Sequence, residues 1–102
     1  MLRLLKVTQS SLEPDFHEGD FVLIAKIPFL FMLRPTDTIV FRHPIYGMLI
    51  KRVERVNHTT GKIFVIGTHP YSVDSHIFGE ISQQDVTGKV IWHIRKPITR
   101  WV

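Results

Sequence analysis

Two adjacent serines, Ser10 and Ser11, begin the part of the chain whose side chains best suggest chemistry. Pro14 follows three residues after Ser11, and Gly19-Asp20 ends the stretch before an apolar run. Serine, proline, glycine and aspartate favour turns, so this stretch predicts an exposed loop between two strands. Such a loop could hold a serine at a fixed angle above a sheet, as a nucleophile requires. An ordinary polar turn has the same composition, and composition alone favours that turn.

A serine hydroxyl is a weak nucleophile at neutral pH and needs a base within hydrogen-bond reach. No histidine or aspartate lies in a recognisable triad pattern, although residues distant in sequence could still meet in the fold. The chain has no cysteine, which excludes thiolate catalysis and cysteine-type zinc sites. Its six histidines lack the usual spacing of metal ligands. We therefore expect turn and surface histidines, and neither a metal ion nor a cofactor.

Three separate blocks resemble segments of the signal peptidase I family of serine proteases. The first is Ser11-Leu12-Glu13-Pro14 with Gly19-Asp20 behind it, and the second is Ile50-Lys51-Arg52-Val53. The third runs from Gly67 to Gly79 and resembles the family's Gly-Asp-Asn…Ser-x-Asp-Ser-Arg-x-x-Gly box. The blocks occur in the family's order and cover most of residues 7 to 93. Three blocks in this order make a stronger case for the resemblance than any one block does.

The resemblance implies that Ser11 is the nucleophile, Lys51 the general base and Ser72 the residue that orients the lysine. A lysine with an ordinary pKa near 10.4 is protonated at pH 7, so Lys51 must be desolvated to act as a base. Strand alternation places it on one face with Leu49 and Val53, an apolar setting that favours desolvation. We expect a buried Lys51 without a carboxylate partner. A lysine that extends its amine into solvent is the alternative.

Supporting roles follow from the same resemblance. Asp74 matches the aspartate of the third block, and Pro14, Gly19 and Asp20 match structural positions of the first. The backbone N–H of Ser11 would stabilise the oxyanion, with the side-chain amide of Gln9 as a second donor.

The chain also departs from the family's pattern. Leu12 replaces the usual methionine, and Thr68-His69 stands where the family has Asp-Asn. His76 stands where the family has the arginine that pairs with the box aspartate. An Asp74–His76 ion pair would be weaker or pH-dependent.

The alternation of apolar runs and turn signals predicts a mainly β fold with little helix. Its barrel-like, complex β form is the type implied by the resemblance to signal peptidase I and to the C-terminal domains of SOS repressors. A length of 102 residues predicts a single peptidase-like domain, 1–102. We expect strands at 2–8, 21–26, 38–42, 48–56, 62–66 and 86–94, with one helical turn at 82–85.

Two details of these strands can be tested directly. The continuous apolar run 21–26 predicts a strand that is buried on both faces. In strand 48–56, simple alternation places Arg55 on the face of Lys51 and Val56 on the opposite face.

Net charge and hydrophobicity limit the partners. A balance of +4 mildly favours an anionic membrane surface, but the basic residues are scattered, so we expect no nucleic acid. No apolar segment is long enough to span a bilayer, and the first residues do not resemble a signal peptide. The protein is therefore expected to be cytoplasmic or peripheral to the membrane. The apolar cluster Phe29–Leu33 predicts a core strand, or alternatively a membrane-facing or substrate-facing patch.

The resemblance implies a serine endopeptidase that removes an N-terminal segment from a precursor protein through an acyl-enzyme. The chain looks most like the short proteases that mature nickel-type superoxide dismutase. Its partner would be an extended peptide segment that pairs with an edge strand.

Two other hypotheses are open to comparison. Self-cleaving SOS-type repressors cut an Ala-Gly or Cys-Gly bond, but the single alanine here, Ala25, precedes Lys26, and no DNA-binding domain is present. A non-catalytic relative that serves as a peptide-binding or structural module fits the altered third block. The sequence leaves that alternative and the oligomeric state open.

Overall fold

The computed structural model describes residues 2–6, 19–26, 33–67 and 73–94. Seven strands in these ranges form one antiparallel sheet in the order β1-β2-β7-β3-β4-β5-β6. This mainly β architecture with little helix confirms the predicted fold class. The strands are β1 (Leu2–Lys6), β2 (Phe21–Ala25), β3 (Thr38–His43), β4 (Gly47–Asn57), β5 (Lys62–Ile66), β6 (Ile81–Ser82) and β7 (Val86–Ile94). A short helix α1 (Ser75–Phe78) and a 3₁₀ helix (Gln83–Asp85) lie between β5 and β7.

Apolar side chains are buried on both faces of the sheet, because successive residues of a strand point to opposite sides. In β3, Ile39 and Phe41 join one group of buried residues and Val40 joins the other. We call the two groups the large core and the small core. The large core contains Leu33, Ile39, Phe41, Leu49, Val53, Ile63, Val65 and Ile81. The small core contains Val22, Ile24, Val40 and Ile50.

The prediction that the strand at 21–26 is buried on both faces is wrong. Val22 and Ile24 are fully buried, but Phe21 is 38% exposed. The strand lies beside the edge strand β1, and the exposed residues Leu4 and Trp92 flank β2 on the face of Phe21. An antiparallel sheet is often covered on one face only.

Simple alternation also fails in the second half of β4, where a β-bulge interrupts the pairing with β5. Val53 pairs with Val65 and Arg55 with Phe64, so Glu54 is an extra residue without a partner position. As a result Val56, and not Arg55, packs against the large core. The guanidinium of Arg55 instead lies 4.0 Å from the centre of the Phe64 ring.

The turns follow the chemistry that the sequence predicts. Asp37 closes the turn before β3, because its carboxylate accepts a hydrogen bond from the backbone N–H of Arg34 at 2.9 Å. Asn57 closes the β4–β5 hairpin by accepting from the backbone N–H groups of Thr59 and Thr60. Gly61 follows with φ of 73°, a conformation that favours glycine.

Two elements were not predicted, α1 and β6, with four and two residues. Both are too short to show a hydrophobic period. The 3₁₀ helix Gln83–Asp85 agrees with the predicted helical turn at 82–85. Within the apolar cluster 29–33, Leu33 is buried in the large core, and residues 29–32 lie outside the described ranges. In the part of the chain that is described, no helix has the length and apolar character to cross a membrane.

Candidate active site

Lys51 lies in the middle of β4 and points into the large core. Its relative exposure is 1%, which is lower than that of several core leucines and valines. Leu49 and Val53 flank it on the same strand face, and Ile39 pairs with it across β3. Among the described residues, no carboxylate lies within ion-pair distance of its ammonium group. The burial predicted from strand alternation is therefore found.

Burial changes the acidity of this lysine. Removal of the ammonium from water lowers the pKa of Lys51 from 10.5 to about 8, although the negative charge of Asp74 acts in the opposite direction. At a pKa of about 8, roughly a tenth of the lysine is neutral at pH 7, whereas an exposed lysine is almost wholly protonated. The side chain is therefore available as a proton acceptor near neutral pH.

Asp74 and Ser75 occupy the edge of β5 next to this lysine. The strand β6 pairs with β5 only at Lys62 and Ile63. Beyond that point the backbone N–H of Val65 donates to Ser75 Oγ at 2.8 Å, and the N–H of Gly67 donates to Asp74 Oδ2 at 3.1 Å. Two side chains thus satisfy the strand edge where its neighbouring strand has ended.

The register of the sheet explains why Asp74 acts on Lys51. Arg52 pairs with Ile66, so Gly67 lies one step further along, opposite Lys51. The carboxylate of Asp74 is fixed to Gly67, and its charge is therefore felt at the lysine.

His76 contacts Asp74 from the other side, at the position where the family has arginine. Its Nδ1 lies 3.0 Å from Asp74 Oδ1, and its backbone N–H donates to the same oxygen at 3.0 Å. Burial by itself raises the pKa of Asp74, but the hydrogen bonds from Gly67 and His76 outweigh burial and hold the pKa below its usual value. Asp74 is therefore a carboxylate at neutral pH, and its charge is largely directed toward these donors.

Phe78 anchors the segment that carries Asp74 and Ser75. Its ring lies 6.1 Å from that of Phe41 and 4.7 Å from that of His43, both on β3. The segment is thus held to the sheet by an aromatic contact at one end and by two edge hydrogen bonds at the other. Sequence analysis did not single out Phe78 or Ser75.

Gly19 and Asp20 form a second support, at the start of β2. Gly19 has φ of 94°, which a residue with a side chain rarely adopts. Asp20 is 1% exposed, and its Oδ2 lies 2.7 Å from His93 Nε2 on β7. The pair joins β2 to β7 at the place where the chain leaves the predicted serine loop.

The expectation that the histidines are turn or surface residues is wrong for His93, which lies in β7 and is paired with Asp20. His76 is exposed, as expected, and it is also paired with Asp74. Neither contact could be found from spacing, because Asp20 and His93 are 73 residues apart and His76 has only the family pattern to mark it. His43 fits the expectation, since it accepts from backbone N–H groups of its own turn. Among the residues the structure describes, no three histidine, aspartate or glutamate side chains are grouped to hold a metal ion.

Ser11, Gln9, Pro14 and Ser72 lie outside the described residues. The distance between Ser11 Oγ and Lys51 Nζ therefore stays a prediction, as do the orienting role of Ser72 and the oxyanion role of Gln9. The structure brings together Lys51 and Asp74, and it places Asp20 and Gly19 at the start of β2.

Comparison with known proteins finds a relative from the family that the three sequence blocks resemble. The chain is 31% identical to signal peptidase I V of Bacillus subtilis (strain 168) over 99 residues, which cover 81% of this chain and 59% of the relative. No protein-family model matches the chain. The similarity supports a relationship to the signal peptidase I family. The chain spans less than two thirds of the length of that relative.

The burial of Lys51 predicts a pH-dependent cost in stability. Below pH 8 the lysine is protonated in both the folded and the unfolded chain. The free energy of unfolding is then reduced by the full cost of burying the charge. Between pH 8 and 10.5 the folded chain has released the proton and the unfolded chain has not, so stability rises with pH. Substitution Lys51→Met should therefore raise the free energy of unfolding by about 1 to 3 kcal/mol at pH 7, and this gain should disappear near pH 11.

Urea denaturation at pH 7, 9 and 11 measures this effect. The matched control is Lys62→Met, which removes an exposed lysine of β5 and should leave the stability at pH 7 nearly unchanged. A Lys51→Met protein that is no more stable than the wild type at pH 7 would show that the ammonium reaches water.

The edge of β5 gives a second prediction. Substitution Ser75→Ala leaves the buried N–H of Val65 without its acceptor and should cost about 1 to 3 kcal/mol of stability. Ser82→Ala is the control, because Ser82 only accepts from the exposed ammonium of Lys62, which water can satisfy. Equal midpoints for the two variants in thermal denaturation would contradict the role assigned to Ser75.

Proposed function

We propose that this chain is a serine endopeptidase of the signal peptidase I type that uses Ser11 as nucleophile and Lys51 as general base. The observation that carries the proposal is the burial of Lys51 in an apolar core with a pKa of about 8. Most lysines keep their ammonium in water, so complete burial without a described carboxylate partner needs a reason. A role as proton acceptor would explain the burial of Lys51, because the serine of the first block needs a base.

In the proposed reaction Lys51 acts as the base in both steps, the formation of the acyl-enzyme and its hydrolysis. Neutral Lys51 takes the proton of Ser11 as Oγ attacks the carbonyl carbon of the scissile peptide bond. The resulting ammonium gives that proton to the leaving amine as the C–N bond breaks, which leaves an acyl-enzyme. Lys51 is then neutral again, and it takes a proton from the water whose oxygen attacks the ester carbon. It gives that proton to Ser11 Oγ as the ester C–O bond breaks, which releases the acid and restores the serine. Ser72 would orient the lysine, and the N–H of Ser11 with the amide of Gln9 would stabilise the oxyanion.

The third block is proposed to position the base and not to react itself. Asp74 and Ser75 hold the block to the edge of β5, and Phe78 holds it to β3. Pro14, Gly19 and Asp20 would likewise position the serine loop without taking part in the reaction. His76 supplies a donor to Asp74 at the position where the family has arginine, so the substitution keeps the contact. This retained contact argues against reading the altered block as evidence of a non-catalytic relative.

The proposed substrate is the N-terminal segment of a precursor protein, bound in an extended form. Among the described strands, β1 lies at the edge of the sheet, paired with β2, and in the sequence it precedes the predicted serine loop. A peptide that paired with β1 would lie beside the strand from which the chain enters that loop. The precursor of a nickel-type superoxide dismutase is a narrower hypothesis for the substrate, supported by resemblance alone.

Peripheral contact with an anionic membrane is a further part of the proposal. Leu2, Leu4, Phe21 and Trp92 are exposed on one face of the sheet end formed by β1, β2 and β7. Lys6 pairs with Phe21 on the same face, so a cation accompanies the apolar patch. An apolar patch with a basic residue is suited to the surface of an anionic bilayer.

The proposal predicts covalent modification of Ser11. Incubation with a serine-directed acylating β-lactam or penem should add one adduct mass, located at Ser11 by peptide mapping. The rate of adduct formation should rise with pH through about 8, because only the neutral form of Lys51 accepts a proton. Lys51→Met and Lys51→Arg should both abolish the adduct, since a guanidinium stays protonated in this range.

Two controls make the result decisive. Circular dichroism and thermal denaturation establish that each variant is folded. At pH 7, Lys51→Met is expected to be more stable than the wild type. Lys62→Met should keep the wild-type adduct rate. Folded wild-type protein that forms no adduct after long exposure, or a Lys51→Met variant that reacts normally, would favour the non-catalytic alternative.

A further inference from the structure

A cleft of about 310 Å³ opens beside β2 and the start of β7. It is lined by Arg3, Ile24, Lys26, Gln84, Val86 and Thr87. Ile24 belongs to the small core and Val86 packs against the large core, and neither Lys51 nor Asp74 lines the cleft. The chemistry proposed above makes no use of the cleft.

The cleft brings two cations together. Arg3 on β1 is paired with Ile24 on β2, and Lys26 comes directly after the last residue of β2. Both side chains line the same cleft of about 310 Å³. A guanidinium and an ammonium in one cleft of this size can both reach the oxygens of one phosphate group.

Neither cation is neutralised by the part of the chain that the structure describes. No aspartate or glutamate lines the cleft, and no described carboxylate forms an ion pair with Arg3 or Lys26. Lys89, by contrast, is paired with Asp37 at 3.2 Å. Two cations beside one cavity that no described carboxylate neutralises repel each other, and an anion between them removes that repulsion.

The remaining polar groups fit an anion as well. Thr87 Oγ1 donates only to the sulfur of Met48, at 3.8 Å. Sulfur is a weak acceptor, so the hydroxyl can turn to a better one at little cost. Gln84 adds two amide donors. Ile24 and Val86 supply the apolar part of the wall, as is common in small-ligand sites.

Gly88 keeps the base of the cleft in place. A Cβ at this position would lie 2.9 Å from the carbonyl oxygen of Ala25 and 3.1 Å from Ile24 Cδ1. Only glycine therefore allows β7 to approach β2 this closely. The close approach holds the start of β7, with Thr87 and the preceding Gln84, near the end of β2, which Lys26 follows.

We propose that this cleft binds a phosphate-bearing anion, held by Arg3 and Lys26 and further hydrogen-bonded by Thr87 and Gln84. A doubly charged phosphate matches the two cations, and a guanidinium binds its oxygens in a bidentate manner. The volume is at the lower end of the range of ligand sites, about 300 to 1,000 Å³, and admits a phosphate with a small polar substituent. The phosphate could belong to a free metabolite or to a lipid headgroup, because both present the same oxygens.

The first arm of the test uses inorganic phosphate with the complete chain. Backbone amide NMR signals of Gln84 and Thr87 should shift and saturate on titration with phosphate, but not with chloride at equal ionic strength. The double variant Arg3→Gln/Lys26→Gln should weaken the affinity by about tenfold or more, since two charge-assisted hydrogen bonds are lost. The control Arg42→Gln/Lys62→Gln removes the same charge from exposed positions on β3 and β5 and should bind like the wild type.

The second arm distinguishes the source of the phosphate. Co-sedimentation measures binding of the wild type and of both double variants to vesicles that contain phosphatidic acid and to vesicles of phosphatidylcholine. Saturable binding of free phosphate indicates a soluble ligand. Binding to phosphatidic acid vesicles alone, lost in the Arg3/Lys26 double variant and kept in the control, indicates a headgroup. The proposal is overturned if phosphate gives no saturable shift and the two double variants bind vesicles equally. Neither result depends on acylation of Ser11.

Discussion

A lysine ammonium inside an apolar core is the constraint on which the rest of this structure depends. The side chain of Lys51 is as buried as the valines and isoleucines around it. A fall of its pKa from 10.5 to about 8 corresponds to roughly 3 kcal/mol against the charged form, at about 1.4 kcal/mol for each pH unit. That cost is large compared with the total stability of a small domain. A methionine would remove it, so the lysine is best explained by what a neutral amine can do.

The elements around Lys51 keep the amine buried without trapping it as a charged pair. Leu49, Val53 and Ile39 exclude water from it. Asp74 is near enough to oppose the fall in pKa, but its two oxygens already accept from Gly67 and His76. A direct ion pair would hold the lysine protonated and useless as a base. The hydrogen bonds at the edge of β5 therefore serve two purposes, since they fix the third block and direct the carboxylate elsewhere.

Local sequence patterns were enough to predict much of this arrangement, and their failures have physical causes. Alternation around Leu49 and Val53 predicted the burial of Lys51, and the alternation of apolar runs with turn signals predicted a mainly β fold. Alternation failed after Glu54, because a bulge can be recognised only when the partner strand is known. The pair of Asp20 with His93 was missed for the same reason, since it depends on β7 lying beside β2. The edge role of Ser75 needs the end of β6 to be known, and two residues leave no pattern in the sequence.

The protonation state of Lys51 is the most direct test of this account. With the lysine side chains labelled with ¹³C, the Cε and Hε signals of Lys51, assigned by their absence in Lys51→Met, can be followed from pH 6 to 12. The account predicts a titration midpoint near 8, well below the usual lysine value of about 10.4. A Lys51 signal with a midpoint at about 10 or above would contradict it.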